Sequence, residues 1–171
     1  MDKENLLKLL NERRVDYVVI GATAFPMHGY ARATLDIDLF IRASPENARQ
    51  TLDALTAFGY DTRDITLQDL LTKKVLIREY SLETDIHPFV KGVTFDGVWA
   101  NRVSGAINGV PVSFPSLDDL IRMKKAAGRP KDEEDLKALL KIKQCKHPRR
   151  NPIRRPDPNR EATGLLRESR R

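Results

Sequence analysis

VVIGATAFPMHGYARATLDIDLFI (residues 18–41) holds two apolar runs joined by a segment with two glycines, a proline and an arginine. The first run, VDYVVIG (15–21), is rich in β-branched residues and stops at Gly21, the pattern of a buried strand. ATAFPMHGY (22–30) then reads as a short helix, with Pro26 tolerable only near its first turn and Gly29 as its stop. The second run, DIDLFIRA (36–43), reads as another strand, but it carries two acids. Alternate residues of a strand share a face, so Asp36 and Asp38 lie side by side on one face. Such a pair repels itself unless a cation neutralises it.

Working outward, residues 2–14 read as a helix with Leu6, Leu7, Leu9 and Leu10 on one side. Ser44 and Pro45 open a helix that stops at Gly59. A short strand near 59–62 and a short helix at 67–71 follow, and KVLIREY (74–80) and LETDIHPF (82–89) read as adjacent strands with a tight turn or bulge at Ser81. NRVSGAINGVPVSF (101–114) reads as a hairpin turned at Asn108-Gly109. Ser116 caps a helix that ends at Gly128, and a last helix runs from about 131 to 143. The order predicts an α/β (α+β) fold, a mixed sheet with helices mainly on one face and further helices at the C-terminal end.

The 171 residues suggest one domain, 1–143, and a tail, 144–171. No apolar run approaches the ~20 residues of a membrane span, and the first residues lack a signal-peptide pattern. One cysteine, Cys145, excludes an internal disulfide or a cysteine-based zinc cluster. A cytoplasmic setting is the simplest expectation. The net charge of +6 belongs to the end of the chain: residues 143–171 hold ten Lys/Arg against three Asp/Glu, whereas residues 1–142 hold twenty against twenty-one. That basic, proline-rich tail is expected to be disordered. It is suited to attracting nucleic acid, or is a solvated tail without a partner.

Two carboxylates on one strand face suit Mg²⁺, which takes one or two carboxylates and completes its shell with water and substrate phosphates. Two such ions clamp the attacking and leaving oxygens of a displacement at phosphorus. A third acid is then expected, and Asp85 in the strand SLETDIHPF is the best placed, with Glu83 in reserve. The Gly21 turn opening onto a helix N-terminus offers free N–H groups to an anion, and Thr23 could add a hydroxyl. Each feature also has a plain structural reading: Asp36 as a strand cap, Asp38 as an arginine partner, the glycine turn as packing. His28 and His87 are expected to pack, although His87 shares the face of Asp85; Phe95 and Trp99 read as core or rim aromatics.

The glycine turn, the run HGYARATLDID (28–38) and the later run DDLIRMKKAAGRPKDEEDLKAL (118–139) resemble the nucleotidyltransferase superfamily, the fold of DNA polymerase β, and within it the AbiEii-like group. The resemblance covers residues 5–143. It implies Mg²⁺ or Mn²⁺ at a two-metal site held by Asp36, Asp38 and Asp85, which also makes these the catalytic residues. It implies a nucleoside triphosphate such as ATP bound by Gly21, Ala22, Thr23, Arg32 and Lys124. Ala22 departs from the family, whose turn carries a second glycine or a serine there, so only its backbone N–H can serve. Thr34 matches the run before the acids; Arg129 and Lys131 are candidates near the site, while Lys125, Asp132 and Asp135 read as helix-end, cap and surface groups. The acceptor hydroxyl could belong to RNA, protein or a small molecule. The group includes toxins of toxin–antitoxin and phage-defence systems, which implies a cognate antitoxin as a partner. The rival expectation is a non-catalytic nucleotide- or partner-binding module, an antitoxin or regulatory subunit with a degenerate site, which Ala22 favours; a structural protein with a decayed site is the third.

Overall fold

The computed structural model describes residues 2–79 and 82–146. The basic tail beyond Lys146 and the turn expected at Ser81 lie outside the described residues. The chain starts with α1 (Lys3–Glu12), capped by the Asp2 side chain, and β1 (Tyr17–Ile20). Gly21 and the residues to His28 form a 3₁₀ helix, a tighter coil than an α-helix that keeps Pro26 inside it. β2 (Asp36–Ile41) leads to α2 (Pro45–Phe58), capped by Ser44 and closed by left-handed Gly59, as the sequence predicts.

No strand forms at 59–62, which is a correction. Tyr60 is buried there because its ring docks on Phe58 and its hydroxyl donates to the Leu82 carbonyl, which needs no strand pairing. Next come α3 (Leu67–Thr72), β3 (Val75–Ile77), β4 (Glu83–His87) and α4 (Phe95–Ala100), a helix the sequence reading lacks because it is short and contains Gly97. β5 (Val103–Ile107) and β6 (Val110–Phe114) form the expected hairpin, with Asn108 and Gly109 both at positive φ. α5 (Leu117–Ala127) and α6 (Pro130–Lys146) complete the described chain, α6 reaching three residues past the expected boundary at 143.

The main sheet has the order β1-β2-β4-β3. β2 is antiparallel to β1 and parallel to β4, and β3 closes the edge antiparallel to β4. This mixed sheet separates two chemistries. Val19, Ile37, Leu39, Ile41 and Ile86 are inaccessible to water and share one core with Leu6, Leu7 and Leu10 of α1 and Ala48 and Leu55 of α2. The alternate positions Asp36, Asp38, Asp85 and His87 lie on the other face. The hydrophobic face thus fixes the register of the strands, and a slip of one residue would put the acids into the core. Among the described residues, no helix is long and apolar enough to cross a membrane.

Candidate active site

The parallel pairing of β2 with β4 sets Asp38 directly opposite Asp85, with Asp36 opposite Glu83 and Phe40 opposite His87. The sequence shows the acids of one strand; the register brings the third to them. Ligand atoms of Asp38, Asp85 and His87 all lie within 4.8 Å of one another. His87 Nε2 stands 2.9 Å from Asp38 Oδ1. The partner of Asp38 is therefore a histidine rather than an arginine, and His87 does more than pack. Asp36, outside this trio, accepts a hydrogen bond from the Thr34 hydroxyl.

Gly21 ends β1 in the left-handed region, φ +67°. A Cβ built on it would lie 2.2 Å from Asp38 Oδ2. The glycine thus does two things: it turns the chain into the 3₁₀ helix and leaves room for the Asp38 carboxylate. Gly21→Ala is expected to destabilise the fold by about 1–2 kcal/mol through backbone strain alone and to displace Asp38. A lower melting temperature together with weakened Mn²⁺ binding is the expected pair of readings. Ala22 turns its methyl into the core. Thr23 Oγ1 donates to the Asp36 carbonyl at 3.1 Å, so its one donor steadies the acidic strand and is not offered to a phosphate. At the same strand end, Lys3 Nζ donates to the carbonyls of Thr34 and Asp36 at 3.3 and 3.1 Å. No sequence motif marks this lysine, because the contact joins α1 to a distant loop.

Asp85 is buried, and two cations hold it. Lys74 Nζ lies 2.5 Å from Oδ2 and Arg78 Nη1 2.6 Å from Oδ1. Burial alone would push its carboxyl up, but these two partners outweigh it and keep the group below the ordinary carboxylate range. The sequence reading lacks both cations, which look like ordinary solubilising charges on an edge strand.

Lys124 corrects another expectation. Its ammonium is buried and donates to Asp132 Oδ1 at 2.6 Å and Asp135 Oδ2 at 2.9 Å, so it joins α5 to α6 and is not presented to a phosphate. Asp132 and Asp135 are each 1% exposed and not surface acids. Arg129 Nε donates to Asp132 at 2.6 Å, Tyr30 Oη to Asp135 at 3.2 Å, and Arg32 Nη1 stands 3.3 Å from Asp135. The network thus ties both C-terminal helices to the loop before β2, and it leaves the Arg32 side chain 39% exposed. Lys125 is exposed at the end of α5, as expected. His28 is buried and bonded to the Pro115 carbonyl, and Phe95 and Trp99 stack on each other, all structural roles.

The network carries a pH signature. Burial would raise the Asp132 carboxyl, but Arg129 and Lys124 hold it down to about 2. A depressed folded-state value means stability present above the unfolded value near 4 and lost as pH falls through 2. Asp132 is expected to contribute about 2 kcal/mol in this way. Asp132→Asn is expected to flatten the fall in melting temperature between pH 4 and pH 2, as read by thermal unfolding across that range.

Comparison with known proteins gives a family and a fold. A protein-family profile described as "Nucleotidyltransferase of unknown function (DUF6036)" matches residues 2–153. The crystal structure of a candidate nucleotidyltransferase from Thermotoga maritima (TM1012) superposes with a TM-score of 0.53 at 17% identity, over 80% of this chain and 88% of that one. That similarity concerns the fold. No curated protein sequence matches the chain.

Proposed function

Because this chain belongs to the family of nucleotidyltransferases of unknown function, we propose that it moves a nucleoside monophosphate from a nucleoside triphosphate, such as ATP, to an acceptor hydroxyl. The observation that carries this reading is the placement of Asp38 opposite Asp85, with His87 on the same face and the Gly21 turn against Asp38.

The donor set suits a hard divalent cation. The Asp38 and Asp85 carboxylates, with ligand oxygens within 4.8 Å of each other, are ligands that Mg²⁺ or Mn²⁺ accepts, with Asp36 next along the strand for a second ion and the His87 imidazole bonded to Asp38. When bound, such ions neutralise charge on the phosphates and lower the pKa of a coordinated hydroxyl. The chain's own residues do the rest. Asp36, Asp38 and Asp85 would hold the metal, and His87 orients Asp38 through their shared hydrogen bond. Backbone N–H groups of Gly21, Ala22 and Thr23 at the start of the 3₁₀ helix receive the phosphates. Arg32, anchored by Asp135 but still partly exposed, supplies a further cation. The acceptor oxygen attacks the α-phosphorus, its proton passes to a nearby base, and pyrophosphate leaves.

RNA, protein and small molecules are the acceptor classes proposed. A cytoplasmic toxin of a toxin–antitoxin or phage-defence pair, with an antitoxin partner, is the role proposed on the strength of the two AbiEii-like runs. The test is label transfer: purified protein, Mg²⁺, each α-labelled nucleoside triphosphate in turn, and separate pools of RNA, protein and metabolites. Labelled acceptor in one pool is the expected result. A second reading, a binding module, draws on Ala22, which has no hydroxyl for a phosphate. It predicts triphosphate binding without transfer to any pool.

A further inference from the structure

Asp85 carries more positive charge than a buried carboxylate needs. An ammonium occupies one of its oxygens and a guanidinium the other, at 2.5 and 2.6 Å. Both cations come from the ends of the edge strand β3, whose central residue Leu76 pairs with Asp85. Lys74 and Arg78 lie two residues to either side of Leu76, so they reach Asp85 from both directions along its own face. The carboxylate is buried, but the Lys74 and Arg78 side chains are 40% and 44% exposed. Arg78 also has two further partners, Glu83 Oε2 at 3.4 Å and the carbonyl of Ile77 at 3.1 Å. These are solvent-facing cations on a buried anion.

An oxygen of the same carboxylate belongs to the trio whose ligand atoms lie within 4.8 Å of one another. A divalent cation on Asp85 therefore competes with Lys74 and Arg78 for the same carboxylate, because the three positive charges repel one another there. The charges of the face give the competition a direction. Asp36, Asp38, Glu83 and Asp85 stand against Lys3, Lys74 and Arg78, a net negative surface that one divalent cation turns positive. Lys3 is tied to backbone carbonyls and stays in place. The two cations on Asp85 are the ones whose carboxylate partner a metal would take, and a bound triphosphate is the anion for them to meet.

We infer that Lys74 and Arg78 are exchangeable counter-ions of Asp85, which a divalent metal displaces and which then bind the outer phosphates of the nucleotide. The inference rests on the nucleotidyl-transfer reading above. It gives the site an order: the carboxylate passes from protein cations to metal, and the released cations pass to substrate. A purely structural ion pair would make the opposite prediction for metal, because removing one cation would loosen the strand that holds Asp85.

The test is an Mn²⁺ titration of the full chain, followed by electron paramagnetic resonance of the free ion, and then a titration of Mn²⁺-loaded protein with ATP and the other nucleoside triphosphates. The variants are Lys74→Gln and Arg78→Gln. Each leaves one cation on Asp85, and circular dichroism verifies the fold of each. The expected result is Mn²⁺ binding tightened roughly tenfold, as for loss of one charge-assisted competitor, with triphosphate binding weakened by a similar factor. Mn²⁺ affinity unchanged or reduced in both folded variants overturns the exchange. Tightened Mn²⁺ with unchanged triphosphate affinity overturns the hand-over to substrate and leaves the nucleotidyl-transfer reading standing. Wild-type protein that binds Mn²⁺ but none of the triphosphates overturns both.

Discussion

Asp38→Asn is expected to lower nucleotidyl transfer by at least about a thousandfold, a loss of roughly 4 kcal/mol of transition-state stabilisation. The substitution keeps the shape of the side chain and removes its charge. Asp38 is the residue on which the site converges: it faces Asp85 in the strand register, bonds His87, and occupies the space that Gly21 leaves. The same substitution is expected to leave the melting temperature unchanged or raise it, because a half-buried carboxylate beside Asp36 and Asp85 repels both. Activity and stability moving apart in this way separates a catalytic carboxylate from a structural one. Label transfer and a thermal melt on the same preparation measure both.

Lys124→Met is expected to have the largest effect on stability, a loss of about 3 kcal/mol, read as a melting temperature lower by roughly 6–12 °C. Methionine retains most of the volume but not the charge, and it leaves two carboxylates that are each 1% exposed without their common partner. Arg129 still holds Asp132, and Arg32 and Tyr30 still hold Asp135, which keeps the loss near the lower end for a broken buried pair. The triple substitution Lys124→Met, Asp132→Leu, Asp135→Leu is expected to recover much of the stability, because the network as a whole is replaceable by apolar packing. Because the same network anchors Arg32, the triple variant is also expected to bind triphosphate more weakly than wild type.

Local chemistry was legible in the sequence wherever neighbouring residues decide it. The Ser44 and Ser116 caps, the Gly59 and Gly128 stops and the Asn108-Gly109 turn each depend on a few adjacent residues, and they stand where the sequence places them. The acids on β2 are legible for the same reason, since their common face follows from strand periodicity. What pairs with them is not local. Whether His87 packs or meets Asp38, 49 residues away in the chain, depends on the parallel alignment of their strands. Lys74, Arg78 and Lys3 look like any solvent-facing cations until the fold shows which oxygens they reach. Asp132 and Asp135 mislead in the other direction: acids near a helix start read as surface groups, and only the approach of α5 buries them on Lys124.

The most direct test of the account places the label at two positions of one triphosphate. The protein, Mg²⁺ and the acceptor pool that responds are incubated with nucleotide labelled at the α-phosphorus or at the γ-phosphorus. Attack at the α-phosphorus predicts α-label bound covalently to the acceptor and γ-label released as pyrophosphate, both abolished by Asp38→Asn. γ-Label on the acceptor, or released as inorganic phosphate, would show attack at the terminal phosphorus and contradict nucleotidyl transfer at this site.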